Sequence, residues 1–204
     1  MTRSMRPIII WFFALLSLGG VCYLLAESPV VVLLQDAVTG EREAQARYAA
    51  FAKKADEEGY AGVASLFRAA AAAEKIHEER FLKLLAKRDG RAPDEVAPPE
   101  VGTTKENIQA AMKAEQAERD KGYHDALEAA SDAGDTEAAA LFDLARTAEA
   151  EHANLLMAAN WQLESMKAKK SYWVCSGCGF TSEAKLARCP LCPKGGRGHL
   201  DHVD

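Results

Sequence analysis

Apolar residues are spread unevenly along the chain. Pro7 to Ala26 form one run without a charge, PIIIWFFALLSLGGVCYLLA. Beyond it, apolar positions, many of them alanine, are interleaved with acids and bases in long stretches free of proline, a pattern that predicts helices. The first helix is expected from Ser28, an N-cap with Pro29 at the first helical position, to about Glu58, where Gly59 breaks it. The second covers roughly Tyr60 to Arg88. Thr103-x-x-Glu106 is a capping box for the third, which is expected to continue to about Asp132. A break at Gly134 leads to the fourth, near Asp135 to Ala168. Between the second and third, Pro93, Pro98 and Pro99 mark a long crossover, not a tight turn. Two helical hairpins joined by one long crossover make an all-α four-helix bundle.

The two hairpins repeat each other. Gly59 and Gly134, Leu66-Phe67 and Leu141-Phe142, and the motifs Glu74-x-x-His77 and Glu149-x-x-His152 all lie 75 residues apart. Core packing accounts for the leucines and phenylalanines. It does not account for acids and histidines recurring in register with them. Positions i and i+3 share a helix face, so each motif aims a carboxylate and an imidazole at one point. Acids are also available on the other two helices: Glu41 or Glu43 on the first, Glu115 and Glu118 on the third. Two Glu-x-x-His motifs joined by glutamates from two further helices are the ligand set of a carboxylate-bridged dimetal site inside a bundle. Glu57, Glu58, Glu78, Glu79, Glu128 and Glu151 are expected as exposed acids, and His124, His199 and His202 as surface residues.

Charge and cysteines narrow the picture. The net charge is −5 with no basic patch, which argues against a nucleic-acid partner. Four of the five cysteines form two C-x-x-C pairs, Cys175 with Cys178 and Cys189 with Cys192, a metal knuckle rather than a disulfide framework. Spacing alone suits iron or zinc. The module they close is too small to hold a core of its own, so a bound metal must supply much of its stability. The domains expected are residues 1–27, an anchor or signal segment, 28–168, the bundle, and 169–204, the four-cysteine module. The uncharged run matches a single-pass helix in the cytoplasmic membrane, with Arg3 and Arg6 inside and the domains facing the outside or periplasm. The alternative is a cleaved secretory signal.

From here the chain resembles the rubrerythrins, a ferritin-like di-iron domain followed by a rubredoxin-like domain, over about residues 33–204. Gly40-Glu41, Arg47-Tyr48 and Phe51 match the family's first helix in register, which selects Glu41 over Glu43. Glu115 and Glu118 match its Glu-x-x-Glu, where one glutamate exchanges with the helix-two histidine; by analogy Glu118 and His77 are that pair. The implied di-iron ligands are Glu41, Glu74, His77, Glu115, Glu118, Glu149 and His152, with Tyr48 and Tyr123 beside them. The implied mononuclear iron ligands are Cys175, Cys178, Cys189 and Cys192. The gap between the cysteine pairs, Gly179 to Arg188, is short for the family. The resemblance implies a peroxidase that reduces hydrogen peroxide to water. An unidentified donor would supply electrons through the cysteine-bound iron, and the chain would form a homodimer in which one subunit's module serves the other's cluster. The rival expectations are a ferroxidase or iron-binding protein, and a membrane-tethered module with a structural zinc ribbon.

Overall fold

A computed structural model describes residues 28–204 except 93, 95 and 193–197. Helix α1 spans Pro29–Glu57 and α2 Ala61–Ala86. Gly59, at φ 81°, makes the turn between them, a left-handed conformation that glycine adopts without a Cβ penalty. The crossover ends at Thr103, whose hydroxyl accepts from the Glu106 N–H while the Glu106 carboxylate accepts from the Thr103 N–H. Glu58, from the end of α1, takes the Thr104 N–H at 2.8 Å. A carboxylate at that point satisfies an orphan donor and opposes the helix dipole, so the first hairpin is tied to the start of the second.

The expected third helix is not continuous. Helix α3, Thr104–Ala117, passes through a π-helical turn at Glu118–Gly122 into α4, Tyr123–Asp132. The repeat explains the turn. Tyr48 and Tyr123 are 75 residues apart, like the Glu-x-x-His motifs, but Glu41 and Glu115 are 74 apart. One extra residue therefore lies between Glu115 and Tyr123, and a wider turn absorbs it without breaking the helix. Helix α5, Thr136–Trp161, starts at Asp135, which caps the Ala138 N–H and pairs with Arg88 at the end of α2.

Large side chains gather in two clusters related by the repeat. Tyr48, Phe51 and Phe67 form one, and Phe81, Tyr123 and Phe142 the other. The Glu-x-x-His motifs lie between them along the chain, flanked by alanines such as Ala73 and Ala148. Helix α5 ends before the expected Ala168: its expected last residues form a 3-10 turn instead, Leu163–Lys167, that buries Met166 in the core. The cysteine module follows as a three-stranded antiparallel sheet of order β2–β1–β3, with β1 Tyr172–Cys175, β2 Thr181–Ser182 and β3 Leu200–Val203. Tyr172 and Val174 from β1 pack into the bundle core.

The expected membrane helix, residues 7–26, falls outside the described residues. Among those residues no helix is long and apolar enough to cross a membrane. The reading of a membrane-anchored protein with outward-facing domains, and of a membrane partner, is corrected accordingly.

Candidate metal centre

Each bundle helix sends one acid inward, and α2 and α5 add a histidine. Glu41, Glu74, His77, Glu115, Glu149 and His152 are all at most 2% exposed. Their donor atoms form two overlapping groups, Glu41–Glu74–His77–Glu149 and Glu74–Glu115–Glu149–His152. Glu74 and Glu149 belong to both. Glu74 presents Oε2 to His77 Nδ1 at 3.0 Å and Oε1 to His152 Nδ1 at 3.4 Å. Glu149 presents Oε1 to His77 Nδ1 at 3.0 Å and Oε2 to His152 Nδ1 at 2.7 Å. Glu41 faces only His77 in this set, and Glu115 only His152, each at 3.5 Å. The arrangement could hold two metal ions, with two carboxylates shared between the groups and one carboxylate and one imidazole belonging to each.

Inside this cluster, Glu41 Oε2, both oxygens of Glu74, His77 Nδ1, Glu115 Oε2 and Glu149 Oε1 are buried without a hydrogen bond. Orphaned buried donors and acceptors are rare because each costs the desolvation of the group. Here they all face one another, which is what cations between them would resolve. Oxygen and imidazole donors in this number fit iron.

Charge within the cluster is strongly perturbed. Burial, opposed by His77, raises Glu41 to about 8. Burial and the neighbouring carboxylates Glu74 and Glu149 push Glu115 well up. Burial alone would lower both imidazoles, but Glu149 with Glu41 on His77, and Glu74 with Glu149 on His152, raise them instead. Cations entering the site compete with the protons that these shifts favour.

The sequence-derived residues divide as follows. Tyr48 on α1 donates from Oη to Glu115, and Tyr123 on α4 donates to Glu41. The two bonds mirror each other across the repeat, and the π-helical turn keeps Tyr123 in that register. Glu118, the first residue of the turn, is half-buried beside the cluster but outside both donor groups. Burial and the Glu115 charge push its carboxyl well up. His77 is in the cluster, so of the expected exchanging pair the histidine holds the inner place. Two acids expected as free surface charges are structural: Glu58 caps α3, and Glu78 bonds Arg42 at 2.6 Å and Gln45 at 2.9 Å. His124, His199 and His202 are at the surface, as expected, each near a local acid.

The four cysteines converge as well. None is in a disulfide, and Sγ pairs lie 3.6 Å apart for Cys175–Cys192 and 3.4 Å for Cys178–Cys189. A tetrahedral thiolate site with metal–sulfur bonds of about 2.3 Å has edges near about 3.8 Å, so the cluster fits iron or zinc. A Cβ on Gly198 would come 2.8 Å from Cys175 Sγ and 3.0 Å from Cys192 Sγ, so the cradle needs glycine there.

The feature that sequence reasoning missed is the contact between the two centres. His77 Nε2 lies 2.9 Å from the Cys178 carbonyl, and His152 Nε2 lies 3.1 Å from the Gly179 carbonyl. A carbonyl can only accept, so both Nε2 atoms carry hydrogen, and Nδ1 is the ring atom each histidine turns to the acids and to any metal between them. Arg80 on α2 donates to the Gly177 carbonyl beside them. In this single chain the module docks on its own bundle, after a turn that is anchored by buried Met166. Backbone carbonyls carry no residue signature; only the glycine after Cys178 hints at a close approach.

A family model for rubrerythrin matches residues 33–160. The chain belongs to the rubrerythrin family. Among relatives, it is 32% identical to rubrerythrin-1 of Clostridium acetobutylicum over 171 residues, 78% of this chain and 87% of the relative. It is 33% identical to nigerythrin of Nitratidesulfovibrio vulgaris over 161 residues, 78% of this chain and 79% of that protein. Among solved structures, fully reduced, all-ferrous nigerythrin superposes with a TM-score of 0.77 at 30% identity, covering 87% of this chain and 91% of that one. The bacterioferritin BfrA of Mycobacterium tuberculosis reaches a TM-score of 0.60 at 25% identity over 68% of this chain and 87% of its own. Like other rubrerythrins, this chain is a mostly helical ferritin-like protein with a C-terminal cysteine cluster.

Proposed function

We propose that this rubrerythrin is a peroxidase that reduces hydrogen peroxide to two waters, taking up two protons and two electrons from an external donor. The observation that carries the reading is the pair of donor groups sharing Glu74 and Glu149, joined to a four-cysteine centre through the His77–Cys178 contact. Glu41, Glu74, His77, Glu115, Glu149 and His152 would hold two irons, with Glu118 beside them, and Cys175, Cys178, Cys189 and Cys192 a third. Iron held by these residues would supply electron transfer to peroxide in the bundle and one-electron uptake at the cysteines.

The protein's own side chains do the rest. Six buried donors fix the reacting position and keep the acids in register. Burial and the adjacent carboxylates hold the Tyr48 and Tyr123 protons on Oη, so both remain donors to Glu115 and Glu41. The link from Cys178 to the cluster is short: its own carbonyl, one hydrogen bond, and the His77 ring. Apolar clusters on both sides exclude bulk water.

Ferroxidation, the second reading, is favoured by the bacterioferritin likeness of the bundle and needs no incoming electrons. Replacing Cys192, the least buried cysteine, by serine separates the two. Catalytic peroxide turnover with a reductant should collapse while a single oxidation of bundle iron survives. Full turnover in Cys192→Ser would overturn the peroxidase reading as stated.

A further inference from the structure

The two histidines of the dimetal cluster are not held alike. Among the described residues, His77 Nε2 has one acceptor, the Cys178 carbonyl. His152 Nε2 faces two groups, the Gly179 carbonyl at 3.1 Å and the Thr181 hydroxyl at 3.2 Å. Thr181 is fully buried on β2, and its hydroxyl also lies 3.0 Å from the Gly179 carbonyl. That carbonyl can only accept, so the Thr181 proton points to it and an oxygen lone pair is left for the His152 Nε2–H. Hydroxyl, carbonyl and imidazole form a closed three-membered set, with no other polar group needed.

We propose that Thr181 is a positioning residue for His152. Its hydroxyl fixes both the ring plane and the tautomer that leaves Nδ1 free toward Glu74, Glu115 and Glu149. It touches neither the acids nor the space between them, and it acts only through His152 and the Gly179 carbonyl. The inference rests on the dimetal reading of the cluster. A ligating histidine whose outer nitrogen is held by hydrogen bonds binds metal more tightly, and removing such a partner costs about 10–100-fold in affinity. His152 retains the Gly179 carbonyl, so the loss belongs at the lower end, about tenfold. It falls on one of the two metal positions, the one built by Glu115 and His152. The segment Cys178 to Thr181 is also the knuckle of the cysteine site, closed by the Gly179 N–H to the Cys175 carbonyl at 2.8 Å. The small module thus supplies the groups that hold the outer nitrogens of both bundle histidines.

The test uses full-length protein with zinc at the cysteines and Co(II) alone as probe for the bundle, titrated against a chelator. Wild type should take up two Co(II) in the bundle. Thr181→Val, which keeps the shape and removes the hydroxyl, should weaken one of the two steps about tenfold and alter its visible d–d bands. Thr181→Ser should restore both, which a purely packing role for the side chain would not do. Unchanged helical signal and cysteine-site zinc certify that Thr181→Val is folded. If it does not fold, Thr181→Ala is read by the same criterion. Two wild-type affinities in Thr181→Val, or equal losses in the valine and serine variants, would overturn the proposal and leave the dimetal reading standing. Failure of wild type to bind Co(II) in the bundle would overturn both.

Discussion

Gly179→Ala tests whether the docked module matters for function. Gly179 sits at φ 76°, where an L side chain costs about 1–2 kcal/mol. A Cβ there would also be driven into His77 Nε2, 2.8 Å from its Cδ2 and 3.1 Å from the Ala73 carbonyl. The imidazole is pinned by the cluster and the carbonyl is helix backbone, so neither can yield cheaply. Overpacking of this kind costs about 1–3 kcal/mol. The φ cost is borne by the module whether docked or not, so only the clash, about 1–3 kcal/mol, opposes docking, a shift of roughly 5- to 140-fold in the docked equilibrium at about 1.4 kcal/mol per decade. The module's four cysteines are untouched, so it should stay folded around its metal while leaving the bundle. Reduced protein is mixed with peroxide in a stopped-flow instrument and both centres are followed. The bundle should still oxidise, but oxidation of the cysteine iron should lag far behind it. Coupled oxidation at the wild-type rate would refute the docking argument.

Phe67→Ala should destabilise the protein by about 3–5 kcal/mol, because Phe67 is fully buried against Tyr48 and Phe51; urea unfolding measures it, and a loss below about 1 kcal/mol would contradict the packing described. Glu58 gives a pH-dependent term. Hydrogen bonding to Thr104 and the Lys54 ammonium at 3.0 Å hold its carboxyl down from 4.5 to about 2. A depressed folded pKa contributes stability above the unfolded value that is lost as pH falls through the folded one. Glu58→Gln should therefore lower Tm at pH 7, and the difference from wild type should fade between pH 4.5 and 2; a gap that persists at pH 2 would sink this assignment.

Much of the site was legible because its residues are chemically unusual where they stand. A Glu-x-x-His pair repeated at a fixed interval cannot be explained by an alanine-rich core, and two C-x-x-C pairs have few uses besides metal. The hairpins and the crossover followed from Gly59, Gly134 and the Thr103 capping box. The π-helical turn was written in the numbers too, as the one-residue difference between the Glu41–Glu115 and Tyr48–Tyr123 intervals, but only the wider helical turn gave that difference a meaning. Glu58 and Glu78 resembled any surface acid; their roles depend on partners 46 and 33 or more residues away. The Cys178 and Gly179 carbonyls, which orient both histidines, belong to the backbone, and no residue type announces them. The uncharged N-terminal run lies outside the described residues.

The most direct measurement is a metal count and peroxide reaction on protein purified without oxygen and chemically reduced. The account predicts about three irons per chain, two in the bundle and one at the cysteines, with peroxide oxidising both centres together. Iron in the bundle with zinc at the cysteines, and no coupled oxidation, would contradict it.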